Sequence, residues 1–357
     1  MWANNKTIYL DNAAATPLDS RVIAAMLPYL NDHFGNASSI HSFGARAKEL
    51  INAFRIKLAN LINGQEDEII FTSGGSEANN LALKGIAFAN RHKGNHIIVS
   101  STEHDCVLNA CKWLETQGLF ISYIPVDSRG VIDYDRIVRI INPKTILVSV
   151  MHANNEIGTI QPIQEVGKLC SERKVYFHTD ACQSFGKIPV DVVKQDVSLM
   201  SLNAHNIYGP KGVGCLYVKK GTSLVPLLHG GGQEFGLRST TENLAGIVGF
   251  VTAADICIDE MASESKRLTT LRDSLIRELQ SRFDGFYLNG CASTRLPNNI
   301  NFGISGLEGE TIRLMLLLDD KGIAVSTGSA CSNNDTTKSA SHVLQVIGRN
   351  RSEERRV

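Results

Sequence analysis

Seven short β-rich runs, separated by segments of helical length, constrain this chain more than any other feature. They lie at 69–71, 96–100, 120–126, 146–150, 175–178, 198–201 and 214–218. Between them, 78–90, 106–116, 134–141 and 163–173 are each long enough for an amphipathic helix. That alternation predicts one large α/β unit, a sheet covered by helices on both faces. In an open sheet of this kind the polar joins at the carboxyl ends of the strands are where a ligand sits.

Beyond residue 220 the pattern changes. Gly230-Gly231-Gly232 leads to a helical stretch from about 242 to 282, with an interruption expected near Ser263. Residues 298–302 read as a strand and 310–320 as a helix, a second and smaller α+β unit. The length of 357 residues suits roughly two domains, with core enough to need no disulfide staples. Lys+Arg and Asp+Glu balance at 36 each, so no global field draws the chain to nucleic acid or an anionic membrane. No apolar run approaches the roughly 20 residues of a membrane span, and residues 1–6 lack the apolar stretch of a signal peptide. The eight cysteines never form a Cys-x-x-Cys pair and the histidines show no zinc-type spacing. The expectation is a reduced, cytoplasmic protein with no intrinsic metal site.

Four segments carry chemistry. Thr72 to Asn80, at a strand-to-helix join, contains Gly74, Gly75 and Ser76; freed backbone and first-turn N–H groups would hold a phosphate, with Ser76 as cap. A plain glycine turn with a serine N-cap explains the same residues. His178-Thr179-Asp180-Ala181-Cys182-Gln183 brings an acid out of an apolar strand, where it needs a cation or a donor. An N-capping Asp is the plainer reading. Residues 201–214 crowd Asn203, His205, Asn206 and Lys211 around a Gly/Pro turn between two strands. Finally, Cys331 lies in a run of small and polar residues, 326–334, where an exposed and mobile loop would let a thiolate react. The other seven cysteines sit among apolar or helical neighbours and read as buried small hydrophobes.

In order and spacing these segments resemble the cysteine desulfurases of the class V aminotransferase superfamily, the nitrogen-fixation and iron–sulfur-cluster type. Further matching pieces are 9–16, 36–41, Glu103-His104, 154–158, 230–234, 237–243 and 341–344. The resemblance covers the chain to about Gly348. It implies the fold type I of pyridoxal-phosphate-dependent transferases: a mainly parallel seven-stranded sheet between helices, plus a smaller α+β domain. On that basis 1–20 is an N-terminal segment packing with the small domain, 21–255 the large domain, 256–348 a truncated small domain, and 349–357 a non-native tail.

The same resemblance implies the chemistry. Pyridoxal 5'-phosphate condenses with the substrate amine and drains the resulting carbanion into its ring. Asp180 would pair with the ring nitrogen, His104 stack on the ring and shuttle protons, Gln183 bond the ring oxygen, and Asn155 lie within reach of ring and substrate. Gly75, Ser76, Asn203 and His205 would hold the phosphate, with Thr241 supplied by a second subunit, which makes a homodimer. Cys331 would take sulfur from L-cysteine as a persulfide, leave L-alanine, and pass the sulfur to an acceptor or iron–sulfur scaffold protein. It would touch an iron–sulfur cluster only transiently. No nucleic acid or membrane partner is implied.

The chain departs from the family's pattern at the position that matters most. Asn206 stands where the family has its Schiff-base lysine, and an amide nitrogen cannot take that role. Lys211 is the nearest lysine and is expected to point elsewhere. Asn203 replaces a serine, Phe235 an arginine, Thr240 a glycine and Ala37 a proline. The family's arginine for the substrate carboxylate, beyond 348, has no counterpart. Two other readings therefore stand beside a desulfurase: a catalytically silent pyridoxal-phosphate-binding paralogue or scaffold, and another enzyme of the superfamily such as a selenocysteine lyase.

Overall fold

The computed structural model describes residues 7–307, 310–326 and 341–349. At the N-terminus lie β1 (Ile8–Tyr9), α1 (Ser20–Asn31) and α2 (Ser42–Leu61). The large unit continues with β2 (Ile69–Thr72), α3 (Gly75–Ala89), β3 (His96–Ser100), α4 (Asp105–Thr116), β4 (Phe120–Ile124), α5 (Tyr134–Ile140) and β5 (Thr145–Ser149). It is completed by α6 (Ile163–Glu172), β6 (Tyr176–Asp180), β7 (Leu199–Asn203) and β8 (Gly214–Val218).

β2 to β8 form one seven-stranded sheet in the order β2-β8-β7-β6-β5-β3-β4. β8 runs antiparallel to both neighbours, and every other pair is parallel. β2 and β7 therefore run the same way, and β2, β3, β5, β6 and β7 all end at one edge. Period-2 alternation sends Ile69 and Phe71 of β2 to one face and Ile70 to the other. On the first face β-strand residues pack with α1, α2, α5, α6 and the first turns of a long helix, α7 (Leu244–Arg282). On the other they pack with α3 and α4. Two apolar layers thus seal a sheet whose central strands are buried on both sides, which is what the β-rich runs required.

α7 is continuous for 39 residues, so the expected interruption near Ser263 is not present. The Ser263 hydroxyl donates to the carbonyl of Glu260 (2.8 Å), satisfying itself along the helix rather than breaking it. After α7, β9 (Phe286–Leu288) pairs antiparallel with β10 (Phe302–Ile304), with Phe302 opposite Leu288. The strand read at 298–302 begins only at its last residue. Asn299 and Asn301 instead turn their amides onto the carbonyl of Glu156 (3.0 and 3.1 Å), tying the smaller unit to the loop after β5. α8 (Thr311–Asp320), β11 (Ile323–Ala324) and α9 (His342–Val346) follow. β1 pairs in parallel with β11, Ile8 opposite Ile323.

Candidate active site

The carboxyl ends of β2, β3, β5, β6 and β7 gather the predicted residues at one edge of the sheet. The join after β2 is the first part. Gly74 caps α3 at φ +152°, a conformation an L side chain rarely adopts, and the space a Cβ would occupy there is open. Gly74, not Ser76, is thus the N-cap; Ser76 is the second helical residue, and its side chain is not needed where glycine turns the backbone. Helix geometry leaves the first-turn N–H groups of α3 without intrahelical acceptors, aimed along the axis at this edge. Gly75 has no such freedom of space. A Cβ on it would lie 2.5 Å from Cys182 Sγ and 3.6 Å from Asn203 Nδ2. Helix start, Cys182 and Asn203 are in van der Waals contact.

Asn203 ends β7 opposite Gly214, and its Nδ2 lies 3.4 Å from His205 Nε2. Burial holds the His205 imidazole below its ordinary pKa, and the charges of Lys211, Lys187 and His104 push the same way. Gly75, Asn203 and His205 thus lie together, with Ser76 following Gly75 in the first turn of α3.

Asp180 ends β6, 6 % exposed, and its carboxylate accepts from Asn79 Nδ2 (2.6 Å) and from the Cys182 N–H (2.9 Å). The second bond closes a turn; no helix follows β6, so Asp180 is not the helix N-cap of the plainer reading. The first reaches across to α3 and ties the acid to the helix that begins at Gly75. Asn79 continues the chain of contacts to Cys106 Sγ (3.3 Å), which lies 3.0 Å from His104 Nδ1. His104 caps α4 by accepting the Cys106 N–H at Nδ1 (3.1 Å). In the neutral ring that nitrogen must be bare, so the proton sits on Nε2. Gln183 donates from Nε2 to the Ala13 carbonyl (2.8 Å) and accepts Lys187 Nζ at Oε1 (3.1 Å).

Asn155 lies half-buried in the turn after β5. That turn is bolted to the β3–α4 join, Asn154 Nδ2 donating to the Thr102 carbonyl (2.9 Å) and the Met151 N–H to Glu103 Oε1 (2.6 Å). Asn206 is 3 % exposed, donates to the Cys182 carbonyl (3.2 Å), and leaves Oδ1 without a partner among the described residues. Thr241 is exposed, and no hydrogen bond joins it to the nest among the described residues. Its loop nevertheless passes close by, because Arg238 pairs with Glu77 of α3 (2.8 Å). Cys331 falls outside the described residues.

Several groups at this edge escape sequence reasoning. Cys106 is not a buried hydrophobe; it bridges Asn79 and His104, and its place two residues after His104 was the available signal. Glu103 is fully buried, Oε2 has no partner among the described residues, and burial raises its carboxyl well above the usual range. Lys187, one helical turn's length after Gln183, has its amine pushed down to about 8 by burial. No local pattern marks a lysine for burial; only the fold does.

The first-turn N–H groups of α3, beside Asn203 Nδ2 and His205 Nε2, are donors that fit an anionic phosphate, and the Asp180 carboxylate, tied to the same helix through Asn79, is an acceptor that fits a protonated ring nitrogen. Residues 8–348 match the model of the family described as "Aminotransferase class-V". The chain belongs to that family. A relative from Dictyoglomus turgidum, named cysteine desulfurase IscS, is 53 % identical over 342 residues, 96 % of this chain and 86 % of the relative. Among solved structures, a "NIFS-LIKE PROTEIN" superposes with a TM-score of 0.90 at 36 % identity, covering 98 % of this chain and 92 % of the other. Another, "SspA in complex with cysteine", gives 0.85 at 35 %, covering 98 % and 97 %. The class-V family and its α/β architecture therefore agree with the expected fold class.

Proposed function

We propose that this chain is a pyridoxal-phosphate-dependent cysteine desulfurase, taking sulfur from L-cysteine onto Cys331 and releasing L-alanine, with the sulfur destined for iron–sulfur clusters or thio-cofactors. One observation carries the reading: Asp180, His104 and the Gly75–Asn203–His205 nest, far apart in sequence, are linked through Asn79, Cys106 and Cys182 into one site. The relatives named cysteine desulfurase, and the neighbour in complex with cysteine, support the substrate.

Bound there, the cofactor would supply an electron sink for the carbon next to the substrate's nitrogen. The protein's own residues do the rest. First-turn amides of α3, with Asn203 and His205, bind the phosphate dianion. Asp180, held by two N–H donors, keeps an acceptor facing the ring nitrogen. His104 presents Nε2–H, fixed by the bond at Nδ1, and is placed to hand over or receive a proton there. Asn206 can donate a hydrogen bond but cannot move a proton, and that favours the second reading, a binding-competent but silent paralogue. A dimer is supported by the exposed apolar stretch Leu27, Leu30, Phe34, Ile40 and Phe43, too large to leave to water on a soluble chain.

Purified protein incubated with pyridoxal phosphate, L-cysteine and a reductant should release alanine, and Cys331→Ala should abolish persulfide formation while cofactor retention persists. Retention of the cofactor without alanine favours the silent paralogue. Failure to retain it at all refutes the site.

A further inference from the structure

A half-buried lysine that the proposed mechanism leaves unused lies beside the position where the family's own lysine is lost. We propose that Lys187, reaching through Gln183 toward the cofactor site and packed against the turn that holds Asn206, is the amine that captures the aldehyde of pyridoxal phosphate in this chain. The proposal rests on the reading of the site as one for pyridoxal phosphate.

Four contacts place it. Lys187 Nζ donates to Gln183 Oε1 (3.1 Å). The turn from Cys182 to Lys187 packs directly on the segment that carries Asn206: the Asn206 amide donates to the Cys182 carbonyl (3.2 Å), and a Cβ on Gly186 would lie 3.0 Å from Ile207 Cγ2. The charge of Lys187 acts on His205, and the amine itself lies within the electrostatic reach of Cys257 and Cys182. The Lys187 carbonyl accepts the Ser265 hydroxyl of α7 (2.7 Å), which anchors the stem.

The chemistry follows from the ring. Its phenolic oxygen and its aldehyde occupy adjacent carbons, so a residue bonded to the group that faces the oxygen is next to the aldehyde. The step needs a neutral amine: its lone pair attacks the carbonyl carbon, a C=N bond replaces C=O, and the two nitrogen protons leave with the oxygen as water. No oxidant or reductant is required. Desolvation pushes the amine down to about 8, which raises its neutral share near neutral pH well above that of an ordinary lysine. Among the described residues no carboxylate pairs with it to hold the charge. Lys211, by contrast, is exposed on its turn.

Full-length protein is loaded with one equivalent of pyridoxal phosphate, desalted, reduced with borohydride, digested and mapped by mass spectrometry. The expected result is a reduced pyridoxyl group on Lys187, lost in Lys187→Arg, which keeps the cation and stem length, and moved to residue 206 in Asn206→Lys. A matching thermal midpoint for Lys187→Arg confirms that the variant folds. Cofactor retained with no adduct, or with the adduct on Lys211 or scattered over surface lysines, overturns the proposal and leaves the pyridoxal phosphate site standing. No cofactor retained by the wild type overturns both.

Discussion

Gly75→Ala tests whether the α3 start really lies on Cys182. The new methyl would sit 2.5 Å from Cys182 Sγ, well inside the roughly 3.5–4.0 Å at which heavy atoms rest. The thiol has little room to yield: it is one rotamer from the backbone, the Cys182 N–H is bonded to Asp180, and Sγ faces the Ser201 carbonyl at 3.7 Å. Overpacking of this kind costs about 1–3 kcal/mol, partly offset by up to about 1 kcal/mol from replacing glycine in a helix. The expected net loss lies between about 0 and 3 kcal/mol. Cys182→Ala removes the clashing atom and leaves its Cβ 3.8 Å from the new methyl, an ordinary contact. In that background Gly75→Ala should be neutral or stabilising. A double-mutant cycle by urea denaturation should therefore give a coupling of about 1–3 kcal/mol. If the two substitutions add within about 0.5 kcal/mol, the threshold for independent sites, the nest is not packed as described. Pyridoxal phosphate retention, measured on the same four proteins, should fall most in Gly75→Ala and recover in the double variant.

Arg55 and Glu234 form a bidentate pair at 2.6 and 2.7 Å, both below 10 % exposed, and Glu234 also accepts the Phe71 N–H (2.7 Å). Glu234→Ala strands a buried guanidinium and should cost about 3–5 kcal/mol by denaturant titration, whereas Arg55→Met with Glu234→Gln should recover much of it; a loss under about 1 kcal/mol for the single variant refutes the account. His178, wholly buried between the hydroxyls of Ser149 and Ser201, has its pKa pushed down to about 4. The unfolded chain takes up a proton near 6.5 that the fold refuses, so stability is lost as pH falls from 6.5 to 4, by about 3 kcal/mol at most, and His178→Gln should flatten that slope. Asn206→Lys would place a second cation near Lys187 and His205, so the cofactor-free variant should melt below the wild type, and pyridoxal phosphate should raise its melting temperature more; an unchanged or higher cofactor-free midpoint refutes the crowding of charge.

The sheet was legible because burial on both faces leaves little choice of residue: each of the seven β-rich runs overlaps one strand. Strand direction was not. Nothing in the residues 214–218 says that β8 runs against its neighbours; that follows from the short Gly/Pro turn joining it to β7. α1 and α2 were missed because their apolar positions are exposed as well as buried, Leu27 and Leu30 of α1 and Phe43 and Ile56 of α2 among them, and a helix that serves two surfaces blurs its own periodicity. The β1–β11 pair, two residues each from opposite ends of the described chain, is too short and too non-local for any pattern.

The site divides along the same physical line. Residues that act through type and local setting, such as Asp180 at a strand end or Gly74 at a turn, announce themselves by the contrast between a polar or flexible residue and its apolar approach. Residues that act through what surrounds them do not. Lys187 and Cys106 are unremarkable by type and spacing; one becomes a depressed amine and the other a bridge to His104 only when distant segments close over them. Asn206 marks the boundary between the two cases. Its identity shows what chemistry is missing at that position, and the half-buried amine on the turn it touches is where the proposed substitute would stand. A substitution that removes a functional group from a packed site leaves the rest of the electrostatic field in place: the same acid, the same helix dipole, the same neighbouring imidazole.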